Sequence, residues 1–114
     1  YHIPSISNLI QAARWIQNNV GKNELVISRR FRWVYVVTGG IRGINLWDPG
    51  EPERDITLFR SASGHYLLLD DTPPYFDTGS GRWDKLFARY PENFQLVFST
   101  GSHFASRIYR LKGF

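Results

Sequence analysis

Residues 24–40 read ELVISRRFRWVYVVTGG, and this stretch decides the fold class. Alternate positions from Leu25 to Val37 place apolar and aromatic side chains, together with Arg29, on one side of an extended chain. Such β-branched and aromatic content is typical of strands. The length of the span predicts a strand over 24–38 with a bulge or break near residues 28–30. The following Gly39-Gly40 pair predicts a hairpin turn, because both glycines tolerate a positive φ, and a second strand is predicted at 41–47.

The segment before this stretch predicts one amphipathic helix over residues 5–20. Its apolar residues recur with helical spacing on one face; they are Ile6, Leu9, Ile10, Ala13, Ile16 and Val20. Ser5 or Ser7 is suited to cap the start, and Gly21 suits the left-handed position after the end.

The segment after it alternates between loops and short elements. Residues 48–55 and 70–81 are rich in Pro, Gly and acidic residues, which predicts loops. Residues 56–60 and 65–69 predict a second hairpin around 61–64. Residues 82–90 predict a short helix that ends before Pro91. Residues 94–99 and 104–111 predict the last two strands, joined by a turn at 100–102.

These elements predict an α+β domain. The strands follow one another without long crossovers, which favours an antiparallel sheet of five to six strands. The N-terminal helix is expected to pack on one face, and a second short helix precedes the last hairpin. No repeat or linker divides the chain, so residues 1–114 are predicted to form a single domain. The chain begins at Tyr1 and contains no Met, which suggests that it is processed or cut from a longer protein.

Composition excludes several classes of protein. The chain has 114 residues, 42% of them hydrophobic, and no Cys. Disulfide frameworks, cysteine nucleophiles and Cys-ligated zinc are therefore excluded. The longest apolar runs are too short to cross a bilayer. The absence of Cys and Met is compatible with a secreted or extracytoplasmic domain, and the localisation is otherwise open.

The charge favours an anionic partner. The net charge is +4, and the basic residues comprise eleven Arg and three Lys. The planar guanidinium of Arg binds phosphate or carboxylate through paired hydrogen bonds and stacks on aromatic rings. RNA is the first candidate partner, and an acidic protein is the other. In the predicted strand, Phe31, Trp33 and Tyr35 either stack on bases or form the core under the first helix. In the second case Arg30 and Arg32 lie on an open, basic sheet face and bind phosphate.

Two histidines predict a metal-independent ribonuclease of the secreted-toxin type. His65 and His103 each open a predicted strand beside a turn and suit the roles of general base and general acid. Arg60 on the hairpin partner, and Arg107 with Tyr109 on the last strand, would stabilise the charge on the phosphate. The alternative is a non-catalytic interaction module that binds an acidic protein or nucleic acid.

A further phosphate site is predicted before the short helix. Ser80, Gly81 and Arg82 come at its expected N-terminus, where free N–H groups attract anions. The simpler interpretation is that Ser80 caps the helix. The sequence has no pair of His at metal-ligand spacing, so no metal and no cofactor are predicted.

Two short motifs resemble those of enzyme families. Asp77-Thr78-Gly79 resembles the active-site triplet of aspartic proteases. Phe98-Ser99-Thr100 resembles the Ser-Thr strand motif of ADP-ribosyltransferase toxins, which also use an early strand-borne Arg, here Arg60 or Arg32. That family requires a Glu after the motif, and the last acidic residue here is Glu92. The resemblance therefore implies a truncated domain.

Overall fold

The computed structural model describes residues 4–21, 23–45, 56–62, 64–71, 81, 83–101 and 105–113. The helices among them are α1 (Pro4–Asn19), α2 (Phe31–Thr38), α3 (Ile56–Ser61) and α4 (Asp84–Arg89). The strands are β1 (Leu25–Ser28), β2 (Arg42–Asn45), β3 (Tyr66–Asp70), β4 (Phe94–Ser99) and β5 (Ser106–Leu111).

The five strands form one mixed sheet in the order β2-β1-β3-β5-β4. Strand β1 pairs in parallel with both β2 and β3, whereas β3 with β5, and β4 with β5, are antiparallel pairs. The α+β class is confirmed, and so is the short helix before a final hairpin. The sheet differs from the expectation in being mixed rather than purely antiparallel.

Helices α1 and α2 cover the first face of the sheet. Leu9, Ala12 and Ile16 of α1 and Val34 of α2 are buried there. They pack against alternate residues of the inner strands, which are Val26, Tyr66, Leu68 and Ile108. The prediction that the N-terminal helix packs on one face is therefore confirmed, and its apolar spacing is the reason.

Helices α3 and α4 cover the second face. Phe59 of α3 and Leu86 of α4 are fully buried, with Trp83 beside them. They pack against the other set of strand residues, which are Ile27, Leu67, Leu69, Phe94 and Leu111. Because helices lie on both faces, every residue of β3 is buried. Arg30 lies in the turn after β1 and Arg32 lies in α2. The expectation that they lie on a sheet face is therefore wrong, while their binding of phosphate stays a prediction.

The prediction of one strand over residues 24–38 is also wrong, because the strand stops at Ser28 and α2 follows. Val34 and Thr38 are buried while Val36 is 75% exposed, which is the period of a helix. The Thr38 hydroxyl donates to the carbonyl oxygen of Val34 over 2.6 Å. Gly39 has a φ of 77°, as predicted for a turn, but it ends a helix and not a strand. Strand propensity is a weak preference that tertiary packing overrides here.

The predicted strand at 56–60 is the helix α3. Parallel strands need a crossover connection, and α3 lies in the connection from β2 to β3. Arg60 is consequently on a helix and not on a hairpin partner of His65. The remaining predicted elements correspond to α1, β2, β3, α4, β4 and β5, with shifts of a few residues at their ends. No helix among the described residues is long and apolar enough to span a membrane.

The helical period of α2 predicts different effects for two valines that a strand would place on the same side. We expect Val34→Ala to lower the free energy of unfolding by about 2 kcal/mol, because it removes buried methyl groups. Val36→Ala is expected to change it by less than about 0.5 kcal/mol, because Val36 is exposed. Urea denaturation of both variants tests this, and equal losses would contradict the helix.

Candidate functional site

The ends of three inner strands meet at one edge of the sheet, which we call the carboxyl edge. Strand β1 ends at Ser28 and β3 ends at Asp70, and the two run in parallel. Strand β5 runs antiparallel to β3, and its first residue, Ser106, lies opposite Asp70. The carboxyl edge therefore gathers residues that are distant in the sequence.

A tight turn links β1 to α2 at this edge. The backbone N–H of Arg30 donates to the buried Ser28 hydroxyl over 2.9 Å. Arg30 occupies the N-cap position of α2, and its own side chain makes no capping hydrogen bond. The turn points the Arg30 side chain across the end of β3 instead, where it meets Asp70.

Arg30 and Asp70 form an ion pair that is largely buried. Nε of Arg30 donates to Oδ2 of Asp70. The Asp70 side chain is 2% exposed and the Arg30 side chain 21%. A buried carboxylate is stable only when paired and hydrogen-bonded. The pair therefore holds the Arg30 guanidinium in one orientation at the boundary between the core and the solvent.

A second ion pair lies at the same edge. Nη1 of Arg107 donates to Oδ2 of Asp71 over 3.0 Å. Arg107 is opposite Leu69 in the β3–β5 register, and so belongs to the second face, whereas Asp70 belongs to the first. The two pairs thus flank the end of β3, one on each face. With Arg29, which directly follows β1, the described residues here include three arginines and two aspartates.

Ser106 adds an unusual polar group. Ser106 is fully buried, and its hydroxyl has no hydrogen-bond partner among the described residues. Because Ser106 lies directly opposite Asp70, the two side chains are on the same face of the sheet. Buried polar groups are normally satisfied, so this hydroxyl marks a polar position behind the ion pair.

The described residues of the predicted histidine-based site lie far apart in the domain. His65 precedes β3, at the end of the strands opposite to the carboxyl edge. Its Nδ1 accepts a hydrogen bond of 3.2 Å from the Leu25 N–H there. Arg60 is exposed in the last turn of α3. Arg107 lies at the carboxyl edge, at the opposite end of the β3–β5 pair from His65. His103 is outside the described residues, so the ribonuclease hypothesis stays a prediction.

The phosphate site predicted before α4 is only partly described. Gly81 is exposed with a φ of 75°, and its carbonyl accepts from the Asp84 N–H over 3.2 Å. Ser80 and Arg82 lie outside the described residues, as does the Asp77-Thr78-Gly79 motif. Asp84 occupies the first turn of α4, where its carboxylate competes with an incoming anion. Trp83 holds the N-cap position of α4.

The resemblance to ADP-ribosyltransferase toxins required an arginine on an early strand. Arg32 lies in α2 and Arg60 lies in α3. Neither is on a strand, so the residues that the resemblance proposed for this role do not occupy it. The Thr100 hydroxyl, directly after β4, accepts a hydrogen bond of 2.9 Å from the N–H of Ser106, the first residue of β5.

Tyr109 is predicted as a site residue and packs on the second face. Its ring centroid lies 5.1 Å from that of Phe87. Burial raises the pKa of the Tyr109 hydroxyl above its ordinary value of 10.0; Arg107 lowers the pKa in part, and Asp71 raises it further. Tyr109 is therefore a partly buried tyrosine that packs against the core of the second face and lies near the Arg107–Asp71 pair.

This shift predicts a loss of stability at alkaline pH. The unfolded chain releases the tyrosine proton near pH 10.0, whereas the folded chain still holds it. Stability therefore falls as pH rises from that value through the pKa of the folded state. We expect Tyr109→Phe to remove this component of the decline. Urea denaturation at a series of pH values tests it, and identical pH dependences in the two proteins would contradict it.

Comparison with models of protein families, with curated proteins and with solved structures gives no match. Among the described residues, no three His, Asp or Glu side chains are grouped so that they could hold a metal ion.

Sequence reasoning identified Arg30 and Arg107 but missed the residues that position them. Asp70 and Asp71 were assigned to a loop, and Ser28 and Ser106 were not singled out. One signal was available, because Asp70 directly follows the apolar run of residues 66–69. An acidic residue at the end of a buried strand needs a cationic partner, and Arg30 is such a partner.

Proposed function

We propose that this domain binds a nucleotide phosphate of RNA at the carboxyl edge and does not cleave the RNA. The observation that carries the proposal is the Arg30 guanidinium, held by the buried Asp70 carboxylate between the ends of β1 and β3. A partly exposed guanidinium in a fixed orientation is suited to paired hydrogen bonds with phosphate.

The topology supports this location. After β1 the chain enters α2, which packs on the first face, and α4 after β3 packs on the second. The connections from two adjacent parallel strands thus lead to opposite faces. In open sheets with helices on both faces, ligands bind in the crevice that forms at such a switch point, outside the carboxyl ends of the strands.

The charges support an anion as the ligand. Arg29, Arg30 and Arg107 outnumber Asp70 and Asp71 among the described residues of this edge. The net charge of +4 favours association with RNA. An acidic protein is the other partner that this charge suits, and it serves as the comparison in the test.

The test measures the binding of a fluorescent single-stranded RNA by anisotropy as the salt concentration is raised. We expect binding that weakens steeply with salt and RNA that stays intact with or without EDTA. A mononucleotide should compete with the RNA at higher concentration, and polyglutamate should not. Cleavage that persists in EDTA would contradict the proposal and favour the ribonuclease. Stronger competition by polyglutamate than by the mononucleotide would also contradict it, and would favour an acidic protein partner.

Two variants assign the binding to the carboxyl edge. The double variant Arg30→Met/Asp70→Leu removes both charges of the buried pair, so the net charge and the packing are kept. We expect it to weaken RNA binding about tenfold. Arg60→Met removes one exposed charge on α3 and should weaken binding by no more than about twofold. Equal effects of the two variants would show that the binding is unspecific.

A further inference from the structure

The second face of β4 and β5 becomes exposed toward the carboxyl edge. At the far end of this strand pair, Phe94 lies opposite Leu111, and both are buried. The next pair on the same face is Leu96 opposite Tyr109. Leu96 is 52% exposed, and Tyr109 is partly exposed. The helices on this face therefore bury one end of the strand pair and leave its other end accessible.

Leu96 and Tyr109, with Phe87 of α4 beside them, form an apolar surface that we call the platform. The Phe87 ring is partly exposed, and its centroid lies 5.1 Å from that of Tyr109 with 33° between the ring planes. Phe87 also packs edge-on against the buried Phe94. These contacts hold the Tyr109 ring in place, so little conformational freedom is lost when a flat ligand stacks on it.

Arg107 lies between the platform and the carboxyl edge. It is two residues before Tyr109 on β5, so the two side chains share a face and their positions are about 7 Å apart. The Arg107 side chain is 30% exposed, and the Asp71 carboxylate orients it through Nη1. Ser99, opposite Arg107 on β4, is also exposed. One continuous surface therefore leads from an oriented cation to an apolar platform.

This order of groups matches one nucleotide of single-stranded RNA. A nucleotide joins an anionic phosphate to a flat base through a sugar. Proteins that bind single strands hold the phosphates with basic side chains and stack the bases on aromatic ones. An arginine that precedes an exposed tyrosine on the same sheet face provides both groups at neighbouring positions.

We propose that the platform stacks a base of single-stranded RNA on Tyr109, and that the adjoining phosphate contacts Arg107. This inference rests on the proposed function, because that phosphate is bound at the carboxyl edge. Strands β1 and β5 both neighbour β3, so their ends are about 10 Å apart. The RNA backbone therefore continues from Arg107 across the end of β3, and a further phosphate reaches Arg30.

The test compares two oligonucleotides of equal length and charge. One is a single-stranded oligoadenylate, and the other is its abasic counterpart, which has the same sugar-phosphate chain without bases. We expect the oligoadenylate to bind about tenfold more tightly than the abasic chain, because a base that stacks on an aromatic side chain contributes about that factor. Fluorescence anisotropy measures both affinities, and their ratio isolates the contribution of the bases.

Three variants assign this ratio to the platform. Tyr109→Leu keeps an apolar side chain against Phe87 but removes the ring, and we expect the ratio to fall from about tenfold to about twofold or less. Tyr109→Phe keeps the ring and should retain the ratio within about twofold. Tyr35→Leu is the matched control, because Tyr35 is an exposed tyrosine of α2, and it should also leave the ratio within about twofold.

A measurement on the unaltered protein avoids any effect of a substitution on folding. The methyl resonances of Leu96 should shift when oligoadenylate is added and stay in place when the abasic chain is added, because the ring current of a stacked base acts on nearby methyl groups. Val36, which is 75% exposed on α2, is the control, and its methyl resonances should not move with either oligonucleotide.

Three outcomes would overturn this inference alone. They are equal binding of the two oligonucleotides, an unchanged ratio in Tyr109→Leu, and Leu96 methyl resonances that do not respond to the bases. In each of these cases, binding of the abasic chain would still support the phosphate proposal. Failure of both oligonucleotides to bind would overturn the phosphate proposal, and this inference with it.

Discussion

Replacing Asp70 with alanine is expected to lower the free energy of unfolding by about 3 kcal/mol. The substitution removes the buried Asp70 carboxylate from beside the Arg30 side chain, which is 21% exposed. Removing one member of a buried pair costs more than removing both, because the remaining charge stays in a poorly solvated place. Urea denaturation at neutral pH, followed by circular dichroism, measures the loss.

The double variant Arg30→Met/Asp70→Leu is the control for this prediction. It replaces both charges with apolar side chains, and its stability should lie within about 1 kcal/mol of the original protein. A double variant as unstable as Asp70→Ala would show that removing the Arg30 charge restores no stability, and this would contradict the prediction. A loss of less than about 0.5 kcal/mol in Asp70→Ala would mean that the pair is open to solvent, as surface pairs are.

Replacing Phe59 with alanine is expected to have the largest effect on stability, a loss of about 4 kcal/mol. Phe59 is fully buried on the second face. Its ring centroid lies 5.8 Å from that of Trp83 and 5.7 Å from that of Phe94. Truncation removes these aromatic contacts and leaves a cavity between α3, the sheet and the segment before α4.

Phe59→Leu fills most of that cavity and should cost about half as much as Phe59→Ala. Leu96→Ala, at an exposed position of β4, should cost less than about 0.5 kcal/mol. A small loss in Phe59→Ala would mean that α3 does not pack on the sheet, and that the second face is open. An open second face would also remove the argument that the connections after β1 and β3 lead to opposite faces.

The sequence predicts an element well where its period and its ends agree. Helix α1 is predicted because its apolar spacing is helical and Gly21 follows its end, and β4 agrees with its predicted bounds. In α1, Leu9, Ala13 and Ile16 are buried as the pattern predicts, whereas Ile10 is 37% exposed. Gly21 follows the helix but does not adopt the positive φ that was predicted for it.

Residues 31–38 show why the rest of the fold could not be predicted. Their β-branched and aromatic residues favour a strand. What makes them a helix is long-range packing. Val34 contacts the core of the first face, and the turn at Ser28 and Arg30 joins a helix to the parallel strand β1. A local pattern does not contain that information.

The carboxyl edge also depends on long-range contacts that a local pattern does not contain. Arg30 and Asp70 are 40 residues apart in the sequence, and they meet because β1 and β3 are adjacent and parallel. The sequence indicated that arginines would bind an anion, but it placed Arg30 on an open sheet face. Only the strand order brings Arg30 beside Asp70 and Ser106.

The central claim is that the carboxyl edge binds phosphate, and amide chemical shifts measured by nuclear magnetic resonance test it most directly. Inorganic phosphate is titrated into the isotopically labelled protein at constant ionic strength. A chloride salt balances the ionic strength, and the buffer contains no sulfate. The account predicts saturable shifts in the amides of residues 28–33, 70–71 and 106–107, and unchanged amides at His65 and along α3. Shifts that follow the exposed arginines around the whole surface, or that centre on His65, would contradict it.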